Sequence, residues 1–192
     1  RDLVRSRGLG DVYKRQISTA LDDYSTAAAS GEHATAVTSG LKCSATTSGD
    51  YSIAGVSGDY SIAALSGFSS TAVALGFRCT AATCGDYSNA VVSGSKSTAV
   101  ASGDYATVIA SGIKSIAATF GDHSTAEVSG KQSIALATGY KSKARAGKNG
   151  VIVCVFIDAS GKLRHAKAGI VGKDVKADTW YTLDADGNFV EC

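Results

Sequence analysis

The chain contains no proline and no methionine, and it has a single tryptophan among its 192 residues. Because proline cannot donate to a strand ladder, its absence permits β-structure over any part of the chain. The hydrophobic fraction is 44%, but small alanine and valine side chains dominate it. We therefore do not expect a core of large side chains. A stacked repeat with a narrow interior can be stable on small residues, because each coil is covered by its neighbours.

Long apolar runs and strong charge are missing as well. No run approaches the about 18 residues of a membrane-spanning helix, and there is no hydrophobic signal core. A formal net charge of +2 is too small to indicate binding to nucleic acid or to an anionic membrane. We expect no membrane span. The chain begins with Arg1 and lacks methionine, so we expect a fragment or a processed product.

What the chain does contain is a nine-residue repeat. Glycine recurs every nine residues from Gly31 to Gly139, and 14 units fit between residues 22 and 147. With this glycine as position one, position four is mostly serine and position six is alanine in every unit except at Val108. Side chains alternate in a strand, so we expect positions four, six and eight to face inward and positions five and seven to face outward. Glycine at position one is expected to form the corner, with a positive φ.

Sorting alternate units separates the variable residues into two edges. One edge carries acidic residues at position two beside aromatic residues at position three, and the opposite edge carries the basic residues Lys42, Arg78, Lys96, Lys114 and Lys131. Grouping the units by three mixes tyrosine and lysine on every face. The sequence therefore predicts an all-β fold, a parallel β-solenoid with about 18 residues per coil, in seven coils with a length of about 30 Å.

The repeat is flanked by two segments of different composition. Residues 1–21 form a lead-in outside the repeat, and their first sixteen residues are either translated sequencing-adapter sequence or a genuine basic segment. Residues 22–147 form the solenoid, and residues 148–192 a small β module. In that module we predict a strand at 151–158 that is buried on both faces, further strands at 163–171 and 179–183, and a hairpin turn at 184–188. Its antiparallel strands are expected to cap the end of the solenoid.

Residues with reactive or metal-binding side chains do not form a recognisable motif. Of the five cysteines, Cys43, Cys79, Cys84 and Cys154 are expected to be small buried thiols. Unpaired thiols favour a reducing compartment, and we expect a cytoplasmic or virion-associated protein. No C-x-x-C spacing occurs, the three histidines are dispersed, and GDYS lacks the G-G-x-G-x-D pattern of calcium-binding nonapeptides. We therefore expect no enzyme, no catalytic residue, no cofactor and no metal.

The regular edges instead favour a structural protein or a repetitive binding surface. The binding residues that we predict lie on the acidic and aromatic edge: Tyr51, Tyr87, Tyr105, Asp50, Asp86, Asp104 and Asp122. The partner is expected to be a protein or glycan surface, and self-association through the flat faces is a further expectation. Nucleic acid is disfavoured, because no aromatic residue is expected to interleave the basic edge.

Two other functions remain open. A glycan-binding adhesin head would use the tyrosines of the predicted edge. An ice-binding solenoid would use the outward threonines Thr71, Thr107 and Thr125, although Ile53, Asn89 and Lys143 interrupt this array.

The repeat G-x-x-S-x-A-x-x-S and the segment at 176–183, KADTWYTL, resemble an uncharacterised family of bacteriophage and gut-bacterial proteins. In that family nonapeptide repeats precede a short C-terminal β module, and the resemblance implies a phage-related protein without an established activity. The Ser-x-Ala rhythm is more distantly similar to the heads of trimeric autotransporter adhesins. Those heads need a coiled-coil stalk, for which this chain has no heptad repeat.

Overall fold

The computed structural model describes residues 15–192, so the prediction for the first sixteen residues falls almost wholly outside the described range. The described chain forms 19 strands. The strands before the C-terminal module are β1 Ile17–Ala20, β2 Thr26–Ser30, β3 Thr35–Ser39, β4 Ser44–Ser48, β5 Ile53–Ser57, β6 Ile62–Ser66, β7 Thr71–Leu75, β8 Thr80–Cys84, β9 Asn89–Ser93, β10 Thr98–Ala101, β11 Thr107–Ala110, β12 Ile116–Thr119, β13 Thr125–Val128, β14 Ile134–Ala137 and β15 Lys143–Ala146. The strands after them are β16 Val151–Ile157, β17 Leu163–Ile170, β18 Tyr181–Leu183 and β19 Phe189–Glu191.

The strands wind into a parallel β-solenoid with 18 residues per coil. Odd-numbered strands from β1 to β15 form one parallel sheet, and even-numbered strands from β2 to β16 form the other. Pairing advances by one coil at each step, as in Thr35↔Ile53 and Ile53↔Thr71. The predicted fold and coil length are confirmed. The predicted seven coils are too few, because β1 and β16 extend the stack to about eight turns.

The interior is built from small side chains, as the alternation predicts. Every position-six residue from Ala27 to Ala144 has an exposed fraction of 0%. Position eight is also buried, and among the largest fully buried side chains are Ile152, Val92 and Val108. Three position-eight threonines have a buried hydroxyl without a hydrogen-bond partner: Thr38, Thr47 and Thr83. The core is therefore narrow and tolerates few large groups.

The inward serines at position four form a column of hydrogen bonds that the alternation alone did not predict. Ser124 Oγ accepts the N–H of Ala106 from the preceding coil at 3.0 Å and donates to Gly103 O at 3.0 Å. Ser133 Oγ likewise accepts from Ser115 N–H and donates to Gly112 O. Each hydroxyl thus bonds backbone groups at the corner, where the strand ladder does not reach them.

The corner itself differs from the prediction. The position-three residues, from Tyr24 to Lys141, all adopt a left-handed conformation with φ between 52° and 59°. Glycine at position one has a positive φ at Gly31 through Gly85, but Gly103 does not. At Gly103 the requirement is close approach, because an added Cβ would overlap the carbonyl group of Gly85 one coil earlier.

The C-terminal strands close one end of the solenoid. Strand β16 pairs in parallel with β14, and β17 then folds back antiparallel to β16. Strand β18 pairs antiparallel with β15 and with β19, which confirms the antiparallel cap. Strand β16 is not buried on both faces as predicted. Ile152 and Cys154 are fully buried while Val151 and Val153 are half-buried, because only one face of β16 packs on the core.

No helix in residues 15–192 is long and apolar enough to cross a membrane.

Candidate binding edge

The acidic–aromatic edge is the series of corners that begins at Gly31, Gly49, Gly67, Gly85, Gly103, Gly121 and Gly139 and leads into the odd-numbered strands. Its aromatic rings stack along the solenoid axis. Tyr87 and Tyr105 lie on adjacent coils with ring centroids 4.9 Å apart and an interplanar angle of 6°. Tyr105 stacks in turn on His123 at 5.0 Å. The 18-residue coil thus brings Tyr87 and Tyr105 together as the sequence predicts.

Phe68 and Tyr140 make the aromatic row longer than the sequence indicated. Position three between Tyr51 and Tyr87 is a serine, and Phe68 at position two fills the gap. Its ring lies 6.0 Å from that of Tyr51 and 5.3 Å from that of Tyr87. Tyr140 meets His123 edge-on at 5.8 Å. The row therefore runs without a break from His33 to Tyr140.

The stacking decides which parts of these rings a partner can reach. Tyr105 has one neighbouring ring on each face, Tyr87 and His123. Tyr51 and Tyr87 are likewise flanked on both sides, and each of the three tyrosines remains about half exposed, at 49%, 51% and 49% for Tyr51, Tyr87 and Tyr105. Because rings of adjacent coils lie on both sides, we infer that a partner would contact mainly the ring edges. The arrangement is thus suited to edge contacts and to hydrogen bonds from the phenol groups.

The acidic residues beside the row bond the backbone of the next coil. Oδ1 of Asp86 accepts the N–H of Asp104 at 2.9 Å, and Oδ1 of Asp104 accepts the N–H of Asp122 at 2.8 Å. Asp50 bonds Phe68 N–H and Asp122 bonds Tyr140 N–H in the same way. Hydrogen bonds from N–H to a carboxylate are charge-assisted, so they offset the repulsion between stacked carboxylates. All four predicted aspartates therefore contribute to the structure of the edge.

A groove lies where the aromatic row meets the C-terminal module. Its volume is about 710 Å³, and Tyr105, His123 and Tyr140 line it on one side while Phe156 and Leu183 line it on the other. A volume of this size is within the range of small-molecule sites. No sequence pattern indicated this groove, because it forms only when the end of β16 and strand β18 fold against the edge.

The charged groups around the groove already have partners. Lys141 Nζ lies 5.1 Å from the centroid of the Tyr140 ring. Asp158 accepts hydrogen bonds from the Ser160 hydroxyl and from Arg164 Nε. These bonds hold the pKa of Asp158 well below its ordinary range, and the bond from Ser160 has the largest effect. Asp158 is therefore an anion that fixes the turn between β16 and β17.

The basic edge is the opposite series of corners, with Lys42, Arg78, Lys96, Lys114 and Lys131. Aromatic rings do interleave it, contrary to the prediction. Lys42 Nζ lies 5.2 Å from the centroid of Tyr24, Arg78 Cζ lies 5.6 Å from that of Tyr60, and Lys96 Nζ lies 5.2 Å from that of Phe77. Cation–π contacts of this kind are worth about 0.5–1 kcal/mol at exposed sites. The rings therefore stabilise the cations within the chain.

The thiols follow the strand alternation. Cys43, Cys79 and Cys154 are buried as predicted, and burial raises the pKa of the Cys154 thiol to about 12. The prediction for Cys84 is wrong, because position nine faces outward and Cys84 is exposed. Among residues 15–192 no group of three or more His, Cys, Asp or Glu side chains is placed to hold a metal ion.

Comparison of the chain with protein-family models, with curated proteins and with solved structures gave no match.

Proposed function

We propose that the protein is a non-enzymatic structural element, a stiff rod that presents a repetitive binding surface. The observation that carries this proposal is the use of polar side chains within the coil. The position-four serines and the position-two aspartates bond backbone groups of the neighbouring coil at one rung after another, as at Ser124 and Asp104. These side chains strengthen the stack at the corners, which supports a mechanical role.

The acidic–aromatic edge and the groove at its end are the surfaces that we assign to a protein partner. The edge offers half-exposed tyrosines at one-coil intervals, and the groove adds an apolar site. Aromatic residues with a polar tip are favoured at protein interfaces. A phage-related origin also remains a proposal, and it is supported only by the resemblance of the repeats and of residues 176–183.

Two measurements on the full chain test the structural role. We expect no turnover in a screen of chromogenic esters, phosphoesters, glycosides and peptides. We also expect that a deletion of residues 85–102, one whole coil, leaves a cooperatively folded protein shortened by about 4.8 Å, as measured by circular dichroism and small-angle scattering. A deletion of residues 94–102 alone, which is half a coil, should disrupt the fold. Every later unit would move to the opposite side of the solenoid, so the acidic–aromatic and basic edges would be exchanged after the deletion. Turnover that is abolished by His123→Gln would refute the proposal.

The exposed tyrosine edges support glycan binding as a second candidate function. Stacking of a sugar ring needs a free aromatic face, whereas the faces of Tyr87 and Tyr105 are covered by their neighbours. A glycan would therefore have to bind through the phenol hydroxyls. A glycan array probed with wild-type protein and with Tyr87→Phe decides this, because Phe keeps the stacking and removes only the hydroxyl. Saturable binding that Tyr87→Phe weakens would establish the glycan-binding function.

Ice binding is supported by one contact on the outward face of the odd-numbered strands. Thr125 Oγ1 donates to Thr107 Oγ1 at 3.3 Å, so two threonines of the array lie on adjacent rungs. The column also contains Asn89 and Lys143. Thermal hysteresis of wild-type protein and of Thr107→Lys tests this function, and the absence of hysteresis in the wild type would exclude it.

A further inference from the structure

The even-numbered strands carry an outward face without a charged side chain from β2 to β16, which we call the uncharged face. Alternate residues of these strands point outward, because their neighbours at positions four, six and eight are buried. The outward residues are Thr26, Ala28, Ser44, Thr46, Ile62, Ala64, Thr80, Ala82, Thr98, Val100, Ile116, Ala118, Ile134, Leu136, Val151 and Val153, and all of them except the buried Ala118 are at least partly exposed.

The face extends beyond the coils onto the C-terminal module. Val151 pairs with Ile170 and Val153 with Ala168 across an antiparallel pair. Directly opposed residues share a face, so Ile170 and Ala168 continue the uncharged face, and both are exposed. The cap therefore closes the end of the solenoid without interrupting this surface.

The opposite face of the solenoid differs at its C-terminal end. There Glu127 forms an ion pair with Arg145 at 2.6 Å, and Lys143 lies beside them. Trp180 covers this region, with its ring 4.6 Å from Arg145 Cζ and 5.2 Å from Lys143 Nζ. Only the face of the even-numbered strands is thus apolar or hydroxyl-bearing over its whole length.

We propose that the uncharged face binds a second copy of this chain, about a two-fold axis parallel to the solenoid axis. The two copies then lie side by side with their N-terminal ends at the same end. This goes beyond the proposed function, because it does not depend on which partner the acidic–aromatic edge binds.

Charge complementarity selects both the occupant and the direction. Rotation about an axis parallel to the solenoid places the acidic–aromatic edge of one copy against the basic edge of the other. Rotation about an axis parallel to the strands, which is perpendicular to the solenoid axis, would instead place acidic edge on acidic edge. Packed sheets lie about 10 Å apart, which is more than the Debye length of about 8 Å at physiological salt, so the attraction between the edges is partly screened and strengthens as the salt concentration falls.

The charges also match coil by coil in the parallel arrangement, since each coil meets the same coil of its copy. Two coils oppose acid to acid or base to base, Asp50 with Asp59 and Lys141 with Lys148. Four coils pair acid with base: Glu32 with Lys42, Asp86 with Lys96, Asp104 with Lys114, and Asp122 with Lys131; in the remaining coil Arg78 faces a corner without an acid.

The size of the face is consistent with a reversible dimer. The sheet contains nine strands, which at about 4.8 Å spacing and about five residues per strand give a flat area of roughly 600 Å². Stable interfaces typically bury about 800 Å² per partner, and smaller ones are weak or transient. We therefore expect dimers that form at high protein concentration and dissociate on dilution.

Two isoleucines provide a matched test of the face. Ile62 lies on the uncharged face and Ile53 on the opposite face, and both occupy position five with an exposed fraction of 48%. Sedimentation velocity over a concentration series should show dimers for wild type and for Ile53→Lys. For Ile62→Lys the dissociation constant should rise by at least about tenfold, because the two introduced ammonium groups meet at the same height. A wild type that is monomeric at every concentration, or equal weakening by both substitutions, overturns the proposal. Circular dichroism verifies that both variants fold.

A cysteine cross-link tests the direction. In a Cys84→Ser, Cys192→Ser background, Ala28→Cys places a thiol at the N-terminal end of the uncharged face. In the parallel dimer this thiol faces the same thiol of the other copy across packed sheets about 10 Å apart, which is too far for a disulfide, so a bismaleimide with a spacer of about 10 Å should form a covalent dimer. In an antiparallel dimer the two thiols would be more than about 30 Å apart. Val37→Cys on the opposite face is the control and should not cross-link. Association that Ile62→Lys abolishes without any Ala28→Cys cross-link would overturn the parallel arrangement.

Discussion

The serine column offers a direct measure of how much the corner hydrogen bonds stabilise the solenoid. Ser124 is fully buried, and its hydroxyl is the partner of Ala106 N–H and of Gly103 O, each at 3.0 Å. Ser124→Ala removes one oxygen and leaves both backbone groups without this partner inside the stack. The side-chain volume changes little, so loss of hydrogen bonding dominates the effect.

The magnitude follows from the cost of an unpaired buried polar group. Leaving such a group unsatisfied costs about 1–3 kcal/mol, and two groups lose their partner here. Because the remaining Asp122 carbonyl, 3.2 Å from Ser124 Oγ, loses only a shared contact, we expect destabilisation of about 2–3 kcal/mol. Ala106 supplies the matched control. It occupies the same position one coil earlier, and Ala106→Ser should be neutral or stabilising by up to about 1 kcal/mol.

Equilibrium denaturation in urea, followed by far-UV circular dichroism, measures both variants. The slope of the free energy of unfolding against urea must remain unchanged for the comparison to hold. Wild-type stability of Ser124→Ala would show that these hydrogen bonds do not stabilise the corners. Ala106→Ser must also not lose as much free energy of unfolding as Ser124→Ala. An equal loss would mean that stability at position four depends on side-chain volume and not on hydrogen bonding.

Three further predictions concern the corners and the cap. Gly103→Ala should destabilise by about 1–3 kcal/mol or more, since its Cβ would overlap the Gly85 carbonyl, whereas Gly55→Ala, with its nearest atom at 3.9 Å, should be neutral or stabilising in the same urea assay. Gln132 has a φ of 57°, a left-handed conformation that glycine adopts readily and a β-branched residue does not. Gln132→Gly should therefore raise the midpoint of thermal unfolding, and Gln132→Val should lower it. Equal midpoints would contradict the role of the left-handed conformation. The pKa of Asp158 is depressed in the folded state, so its stabilising contribution is complete above the ordinary aspartate pKa of about 3.9 and is lost as pH falls below that value. In the wild type, the protection of the amide groups at 158–162 against hydrogen exchange, corrected for the intrinsic exchange rate at each pH, should therefore decrease at acidic pH. In Asp158→Asn this protection should already be lower at neutral pH.

The coil length could be predicted from sequence because side-chain type at positions two and three repeats with the coil. Tyr87 and Tyr105 are 18 residues apart and stack, as that sorting requires. The role of Phe68 could not be predicted in this way. It stands at position two, and only the direction of its side chain at the corner places its ring between Tyr51 and Tyr87.

Burial could be predicted wherever strand alternation was applied to a residue's own position in the unit. The prediction of burial failed where that position was not considered. Cys43 and Cys79 at position four are buried, but Cys84 at position nine lies on the outward set of β8 and is exposed. The basic edge shows a related limit. Its aromatic partners Tyr60 and Phe77 are visible in the sequence, yet their contact with Arg78 and Lys96 depends on rotamers across coils.

By itself, the sequence determined the periodic features: the parallel solenoid, the 18-residue coil, the inward columns of small residues and the two unlike edges. These follow from the pleat of a strand and from identical units in register, which are local properties repeated many times. Tertiary structure alone decided the continuous aromatic row, the use of aspartates as backbone acceptors, the groove at 710 Å³ and the extension of the uncharged face onto β17. Each of these depends on how side chains of different coils, or of the non-repeating module, approach one another in space.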